Sequence, residues 1–542
     1  MTDYYLWEKD SKNVLYKNIY DYYVNKGFVP IILRNIITLL QLSFITVFTT
    51  FATTCIEWDL ISHEKHTLKC YSLSSIFSQE FSWLLILFMI TMCLLIGYKI
   101  SSLPNIIRKN YKIKQIYNNL FNIQDKELST LAFSEIVTKI KNVNKDEVTD
   151  LDIINTIMVV DNYMIAFINK DILNLNIPFL KNRKIITRIT ELGLFGFFGI
   201  PGVLTMTLFN DDNTINQQFV FDKDKEKLAK NLKNKFRMVG LVLLLVSPIL
   251  FVYLIGHFLF RYAEQIKNSP GFLTIREWNL LAKYKFRDFN ELQHLFNIRL
   301  NKSYEPSKRY VSYFDSPIKT MIFEFLIFTF GAIFVVVLLM VAWETLLIGS
   351  FTVNSSALVA LTILGATIGI LRSNMPKEHK VYEYHDTMKE IVEYIHYIPE
   401  EWIGNAHHIK VLNEFTQLFS YKILNWILEL TSVLYMPFIF MFSLANNTHK
   451  IVDFMQDFTV YHDVAGNICK FALLNMEDSM PESSQYGKLE MSLINFKDTY
   501  PEWDGDSNLQ ELYRQPVTNE SMAFSEMLDT INDQTRDLEM EV

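Results

Sequence analysis

Cysteine is scarce in this 542-residue chain, and no motif is built on it. The four cysteines, at 55, 70, 93 and 469, form no CxxC pair, which excludes a zinc ribbon and a disulfide-built fold. Of the four, Cys55 and Cys70 are the two placed to face an oxidising lumen together, as a disulfide or as free thiols. The chain also lacks a GxxxxGK[ST] loop, a GxSxG elbow and an HExxH helix, so ATP-driven transport and hydrolysis have no support. His379, His385, His396, His407 and His408 have no cysteine nearby and match no established ligand spacing; neither a metal nor another cofactor is expected. A basic excess is missing too. The net charge of −8 comes from the tail, Asp498 to Val542, where twelve acids face two arginines; the remainder carries 49 basic and 47 acidic residues. Such a balance argues against nucleic acid as a partner. The polar, aromatic stretch Met1 to Arg34 is too long for a cleavable signal peptide.

What the chain has is apolar sequence in long runs. Half of the residues are hydrophobic and 14% aromatic, a composition that suits a membrane protein with large water-facing parts. From Phe325 to Leu371 only Glu344 is charged, across 47 residues. One crossing takes about 20 residues, so this run predicts two spans turning at Gly349 to Ser356. Asn35 to Ile56 and Phe81 to Tyr98 read as a first pair: Lys26 and Arg34 precede it, and Arg108, Lys109, Lys112 and Lys114 follow. The positive-inside rule then puts the N-terminus and the chain beyond about residue 100 in the cytosol. Leu192 to Phe209 carries four glycines and Pro201, and reads as a buried element of a cytosolic domain. Met238 to Phe260 has seven Lys/Arg before it and Arg261, Lys267 and Arg276 after it, so both ends look cytosolic. Pro248 in its middle predicts a broken, re-entrant hairpin, and Pro437 gives Leu430 to Thr448 the same reading.

The expected fold class is mainly α, a polytopic helical membrane protein with four transmembrane helices, two re-entrant membrane hairpins and helical cytosolic segments. Its parts are a cytosolic N-terminal segment at 1–34, a first transmembrane pair at 35–98 with a lumenal loop at 57–80, and a cytosolic helical domain at 99–237. A re-entrant hairpin at 238–260 and a cytosolic segment at 261–320 lead to the second transmembrane pair at 321–371. A cytosolic helical segment at 372–423, a re-entrant segment at 424–445 and a cytosolic end of core at 446–503 follow. The acidic tail at 504–542 reads as disordered, with Phe524, Met527, Leu528 and Ile531 spaced for one short docking helix. Both termini are then cytosolic. Tyr16-Lys17-Asn18-Ile19 fits a tyrosine sorting signal, a pattern common by chance, and of the sequons at Asn301, Asn354, Asn446 and Asn519 only Asn354 falls in the lumen, close to two spans.

Specific strings then become recognisable. The run His396-Tyr397-Ile398-Pro399-Glu400-Glu401-Trp402-Ile403-Gly404-Asn405-Ala406-His407, with Glu414-Phe415 and Gln417 to Lys422 after it, closely resembles the autophagy-related protein 9 family. Similar too are Lys26-Gly27-Phe28, Tyr262-Ala263-Glu264, Phe289-Asn290-Glu291-Leu292, Arg372-Ser373 and Leu489 to Leu493, so the resemblance covers about residues 7 to 503 in unbroken order. It implies a domain-swapped homotrimer that scrambles phospholipids without energy input on Golgi-derived or endosomal vesicles and preautophagosomal structures. It also implies partners, a lipid-transfer protein and other autophagy factors. Many members bind such factors through a long C-terminal extension, of which some forty residues follow the core here.

A scramblase needs a polar groove open to the side, because unsatisfied polar groups in hydrocarbon each cost several kcal/mol. Thr362, Gly365, Thr367 and Gly369 are candidates for its lining, or for plain helix packing with the hydroxyls bonded to the preceding turn. The resemblance places Glu264 and Lys267 at a lateral opening of the lipid path, with Asn268 and Ser269 where relatives often carry charges. Lys267 and Arg372 are candidates to hold a phosphate, with interfacial snorkelling as the plainer role. Glu344 and Glu429 are acids at the ends of apolar runs. The motif residues His396, Pro399, Trp402, Gly404, Asn405, Ala406 and His407 read as structural. Against the scramblase stand a non-conducting vesicle scaffold that recruits lipid-transfer and initiation proteins and, more weakly, an ion channel, for which no span carries a deep ring-forming acid.

Overall fold

The computed structural model describes residues 11–54, 83–144, 147–173, 175, 200–210, 212–222, 224–268, 275–314, 316–348, 355–373, 375, 381–475 and 488–503, with the backbone alone at 54, 83–84, 200–201, 261–268, 344–348 and 355–356. Cys55, Cys70, Asn354 and the acidic tail lie outside these residues.

Helix α1 (Lys12–Val24) is tyrosine-rich and turns its aromatic face inward, leaving Tyr16, Ile19 and Tyr22 fully buried. This corrects the sorting-signal reading, since both anchor residues of Tyr16-Lys17-Asn18-Ile19 are inaccessible. The chain reverses at Gly27, whose φ of 102° suits glycine, and a Cβ there would stand 2.9 Å from Asp125 Cγ. Asp125 accepts hydrogen bonds from the Tyr22 hydroxyl at 2.6 Å and the Phe28 N–H at 3.3 Å, tying the turn to the body. From it springs α2 (Phe28–Thr54), which packs along α3 (Trp83–Gln115) as an apolar pair.

Next come α4 (Phe133–Val143) and α5 (Asp150–Asn169). Thr149 and Asp152 form a reciprocal capping box, the Thr149 hydroxyl accepting from the Asp152 N–H at 3.2 Å and the Asp152 carboxylate from the Thr149 N–H at 2.8 Å. Helix α5 is apolar and long enough to cross a membrane, yet 78% of its most apolar stretch is buried by the protein itself. A helix apolar all round is a core helix when protein surrounds it, and α5 is the centre of the body. Short α6 (Ile200–Leu208) buries Val203, Leu204 and Leu208 in the same core, and α7 (Gln218–Phe221) adds Phe219.

Helix α8 (Lys225–Asn268) overturns one expectation. Pro248 lies inside a continuous helix of 44 residues, so the segment 238–260 makes no hairpin turn at the proline. The missing proline N–H would leave the Leu244 carbonyl unpaired, but the Ser247 hydroxyl donates to that carbonyl at 3.3 Å. The residue next to the proline thus satisfies the carbonyl that the proline leaves open.

Strand β1 (Arg276–Trp278) leads into α9 (Leu280–Phe286), α10 (Gln293–Lys302) and α11 (Tyr304–Ser312). Two long apolar helices follow, α12 (Pro317–Ile348) and α13 (Ser355–Ser373). They pack on each other and on no other described element extensively; none of the most apolar stretch of α12 is buried. Then come α14 (Tyr384–Ile395), α15 (Ile409–Leu418) and β2 (Phe419–Tyr421), which pairs antiparallel with β1, Glu277 opposite Ser420.

Helix α16 (Lys422–Phe438) contains Pro437 and continues as a π-helical stretch, Ile439–Leu444. The break expected at Pro437 within the re-entrant segment at 424–445 is therefore also corrected: the proline is absorbed by a change of helix type, a usual response to an interrupted i to i−4 ladder. Finally α17 (Thr448–Asp457), the hairpin β3 (Thr459–His462) and β4 (Gly466–Cys469), and α18 (Lys488–Thr499) close on α5 and its neighbours. A second core gathers Trp278, Phe286, Tyr310, Ile391, Trp402 and Phe415. Six described helices are long and apolar enough to cross a membrane, α5 among them.

Candidate functional site

Polar side chains at the depth of the apolar helices are few, and the packing brings several to one level. Helices α8 and α16 run antiparallel: Gly240 faces Pro437 and Met441, and Phe258 meets Trp426 edge to face at 5.2 Å. The approach at Gly240 is close, for a Cβ would come 2.5 Å from Met441 Cγ and 2.9 Å from the Pro437 carbonyl oxygen. That register sets Glu429, half-buried on α16, level with Tyr253 and within about one turn of His257 on α8, whose rings stack at 6.0 Å. On the other flank Gly256 abuts Ile45 of α2, a Cβ at Gly256 falling 3.3 Å from its methyl. Beside Ile45 is Thr46, buried, its hydroxyl donating to the Leu42 carbonyl at 2.8 Å. Thr46, His257 and Glu429 thus come from three helices to one level, closed on one side by Phe44, Phe48 and Phe260 in mutual ring contact.

Of the acids singled out in the sequence, Glu429 belongs to this level. Glu344 lies in the last turns of α12, and Glu264 and Lys267 in the last turns of α8. His257 and Thr46 were missed, although a lone histidine inside the apolar run 238–260 is the kind of ionisable residue that signals function in a membrane segment. Thr362 and Thr367 do not make a shared lining. They stand about 140° apart on α13, and each hydroxyl donates to its own helix at 2.8 Å, to Leu358 and Ile363. Gly365 turns toward α12, with Phe334 Cε2 at 3.7 Å from its would-be Cβ, so this face packs helices. Arg372 ends α13 exposed.

The long motif is built into the second core. Pro399 opens a short 3-10 turn that drives Trp402 inside, where its Nε1 donates to Glu414 at 2.8 Å. Gly404 takes φ 69°, and the Ala406 carbonyl accepts from the buried Tyr310 hydroxyl at 2.6 Å. Asn405 and His407 are exposed; Asn405 donates to the Glu401 carbonyl, and the His407 ring lies near His385 and His408. His396 adopts φ 51° to end α14 and places Nδ1 2.6 Å from Asp288. Asp288 is the centre of a buried ionic junction between the two cores. Burial alone would raise its carboxyl, but His396 and Arg299 hold it down to about 2. Arg299 also pairs with Glu291 at 2.7 Å, and Lys488 of α18, pushed down to about 8 by burial against the pull of Asp288, donates to the Lys285 carbonyl at 2.5 Å. Among the described residues no group of three His, Cys, Asp or Glu could hold a metal.

The comparisons agree with one another. Residues 13–475 match the family model described as Autophagy protein ATG9. Autophagy-related protein 9 of Dictyostelium discoideum is 32% identical over 514 residues, covering 91% of this chain and 72% of that protein. The proteins of the same name from Eremothecium gossypii and Saccharomyces cerevisiae are 30% and 29% identical over 85% and 89% of this chain. The chain spans about half the length of those two, 52% and 50%. Among solved structures, the cryo-EM structure of Schizosaccharomyces pombe Atg9 superposes with a TM-score of 0.64 at 26% identity, over 86% of this chain and all of that one.

Proposed function

This chain belongs to the autophagy protein ATG9 family, and from that premise we propose that it is an energy-independent phospholipid scramblase acting in autophagosome formation. The observation that carries the reading is that Thr46, His257 and Glu429 stand at one level on the packed helices α2, α8 and α16. A headgroup crossing hydrocarbon needs polar partners at mid-depth while its tails stay in lipid, and these three helices offer them beside exposed apolar surface. Four crossings, by α2, α3, α12 and α13, leave both termini cytosolic. Helix α8 and the rod of α16 lie in the membrane without completing a crossing: β2, which leads directly into α16, pairs with β1, and the N-terminal end of α8 is held to α17 by Lys225 with Asp453.

The α12 and α13 hairpin, packed chiefly on itself among the described elements, supports a homotrimer in which each copy lends this pair to its neighbour. Preautophagosomal structures and Golgi-derived or endosomal vesicles are the proposed sites of action, with a lipid-transfer protein and initiation factors as partners. The test replaces His257 with Leu and Glu429 with Leu, and separately Thr362 and Lys267 with Leu, in full-length trimer. Scrambling should slow at least tenfold in the first variant while partner recruitment persists. Scrambling that stays intact in both variants rejects the polar level and the sequence-based path alike, whereas a folded wild type that does not scramble leaves the scaffold role.

A further inference from the structure

One face of α8 changes chemistry within a single turn. Its inner stripe is apolar throughout: Leu228, Ala229, Leu232, Phe236 and Leu243 are buried against the core. The outer face begins with Lys227, Lys230, Lys235 and Arg237, all exposed, and Glu226 is the only acid from 225 to 237. Lys225 is engaged by Asp453 and Asp457, whereas those four cations form no ion pair among the described residues. At Met238 the same face turns apolar: Met238, Leu241 and Leu245 are 61%, 50% and 75% exposed. Lys227 and Leu245 are about five full turns apart and point the same way, so the change is one of level, not of side.

With α8 lying in the membrane, this apolar face borders hydrocarbon, and what borders hydrocarbon one turn away is the headgroup layer. We propose that this face of α8 is a binding surface for anionic phospholipid headgroups of the protein's own cytosolic leaflet, with Lys227, Lys230, Lys235 and Arg237 supplying the positive charge. The complementarity is specific in kind. Four unpaired cations over about three turns repel one another unless a counter-charge settles among them, and a neutral zwitterionic headgroup brings no net charge. The inference rests on α8 lying in the membrane but not on lipid scrambling.

The full chain is reconstituted in vesicles of phosphatidylcholine with one-fifth phosphatidylserine, and spin-labelled phosphatidylserine and phosphatidylcholine are compared for motional restriction at the protein surface. The wild type should favour phosphatidylserine by at least about fivefold, the bias one juxtamembrane cation supplies. The preference should collapse in 1 M NaCl, where the Debye length shrinks to about 3 Å. It should also vanish in K227Q/K230Q/K235Q/R237Q and survive in K227R/K230R/K235R. Should the quadruple variant fail to fold, the milder K227Q/K230Q must still lower the ratio. A wild-type ratio near one overturns the proposal, as does a ratio unchanged in the Gln variants or lost only on neutralising Arg108, Lys109 and Lys112 of α3. A preference that emerges only after removal of 504–542 assigns the face to the acidic tail and also overturns it. Scrambling of neutral lipid, measured in the same vesicles, separates failure of this surface from failure of the functional reading.

Discussion

Asp288 shows how much of the protein depends on single buried charges. It accepts from His396 and Asn495 and faces Arg299 and Lys488, so three other segments meet on one carboxylate. Asp288→Asn strands buried cations and should cost about 3–5 kcal/mol, read as a drop in the thermal midpoint of the purified protein; a loss below about 1 kcal/mol would show the junction to be dispensable. His294 gives a pH signature of definite sign. Burial, and then Lys26, bring it down from 6.5 to about 4, with Nδ1 3.1 Å from the Tyr20 hydroxyl. The unfolded chain takes up its proton below about 6.5 and the folded one only near 4, so this contribution is complete above that window and is lost as pH falls through it. The thermal midpoint should therefore fall between pH 6.5 and 4, and His294→Gln should flatten the slope; an unchanged slope would reject the assignment. At this scale the sequence spoke unevenly. Trp402 and Glu429 could be picked out from motif and position, but Asp288 could not, because nothing local distinguishes a carboxylate whose partners lie 108 and 207 positions away.

Helices were legible wherever periodicity or apolar length was strong, and misread where proline stood in for geometry. Pro248 and Pro437 signalled breaks, yet a serine hydroxyl and a π-helical stretch absorb them. Whether a proline ends a helix depends on what satisfies the carbonyl one turn back, a question the residue itself does not answer. Gly240 was equally silent in sequence, although it sets how closely α8 approaches α16. Gly240→Leu should wedge the pair apart and cost about 1–3 kcal/mol, and Ser247→Ala should cost about 1 kcal/mol by freeing the Leu244 carbonyl. Thermal melts of the two variants check both figures. A neutral Gly240→Leu would mean the helices are not packed at that register.

At the scale of the molecule, alternation of charge and apolar runs located the long helices well and their partners poorly. Phe325 to Leu371 was readable as two helices because forty-seven residues with one charge leave no other use for them. That the resulting hairpin would pack chiefly on itself among the described elements was not readable, since packing is a relation between distant segments. α5 shows the converse: its apolar length resembles a span, and only its surroundings reveal a core helix. The account joins these parts into a passive lipid path through a family member with no energy-coupling motif. The most direct measurement is dithionite quenching of a fluorescent phospholipid in sealed liposomes holding full-length protein of verified oligomeric state. The account predicts quenching well beyond the roughly half that an outer leaflet supplies in a bilayer of two equal leaflets, without ATP. Quenching that stops at that half, with the protein folded and correctly inserted, would contradict it.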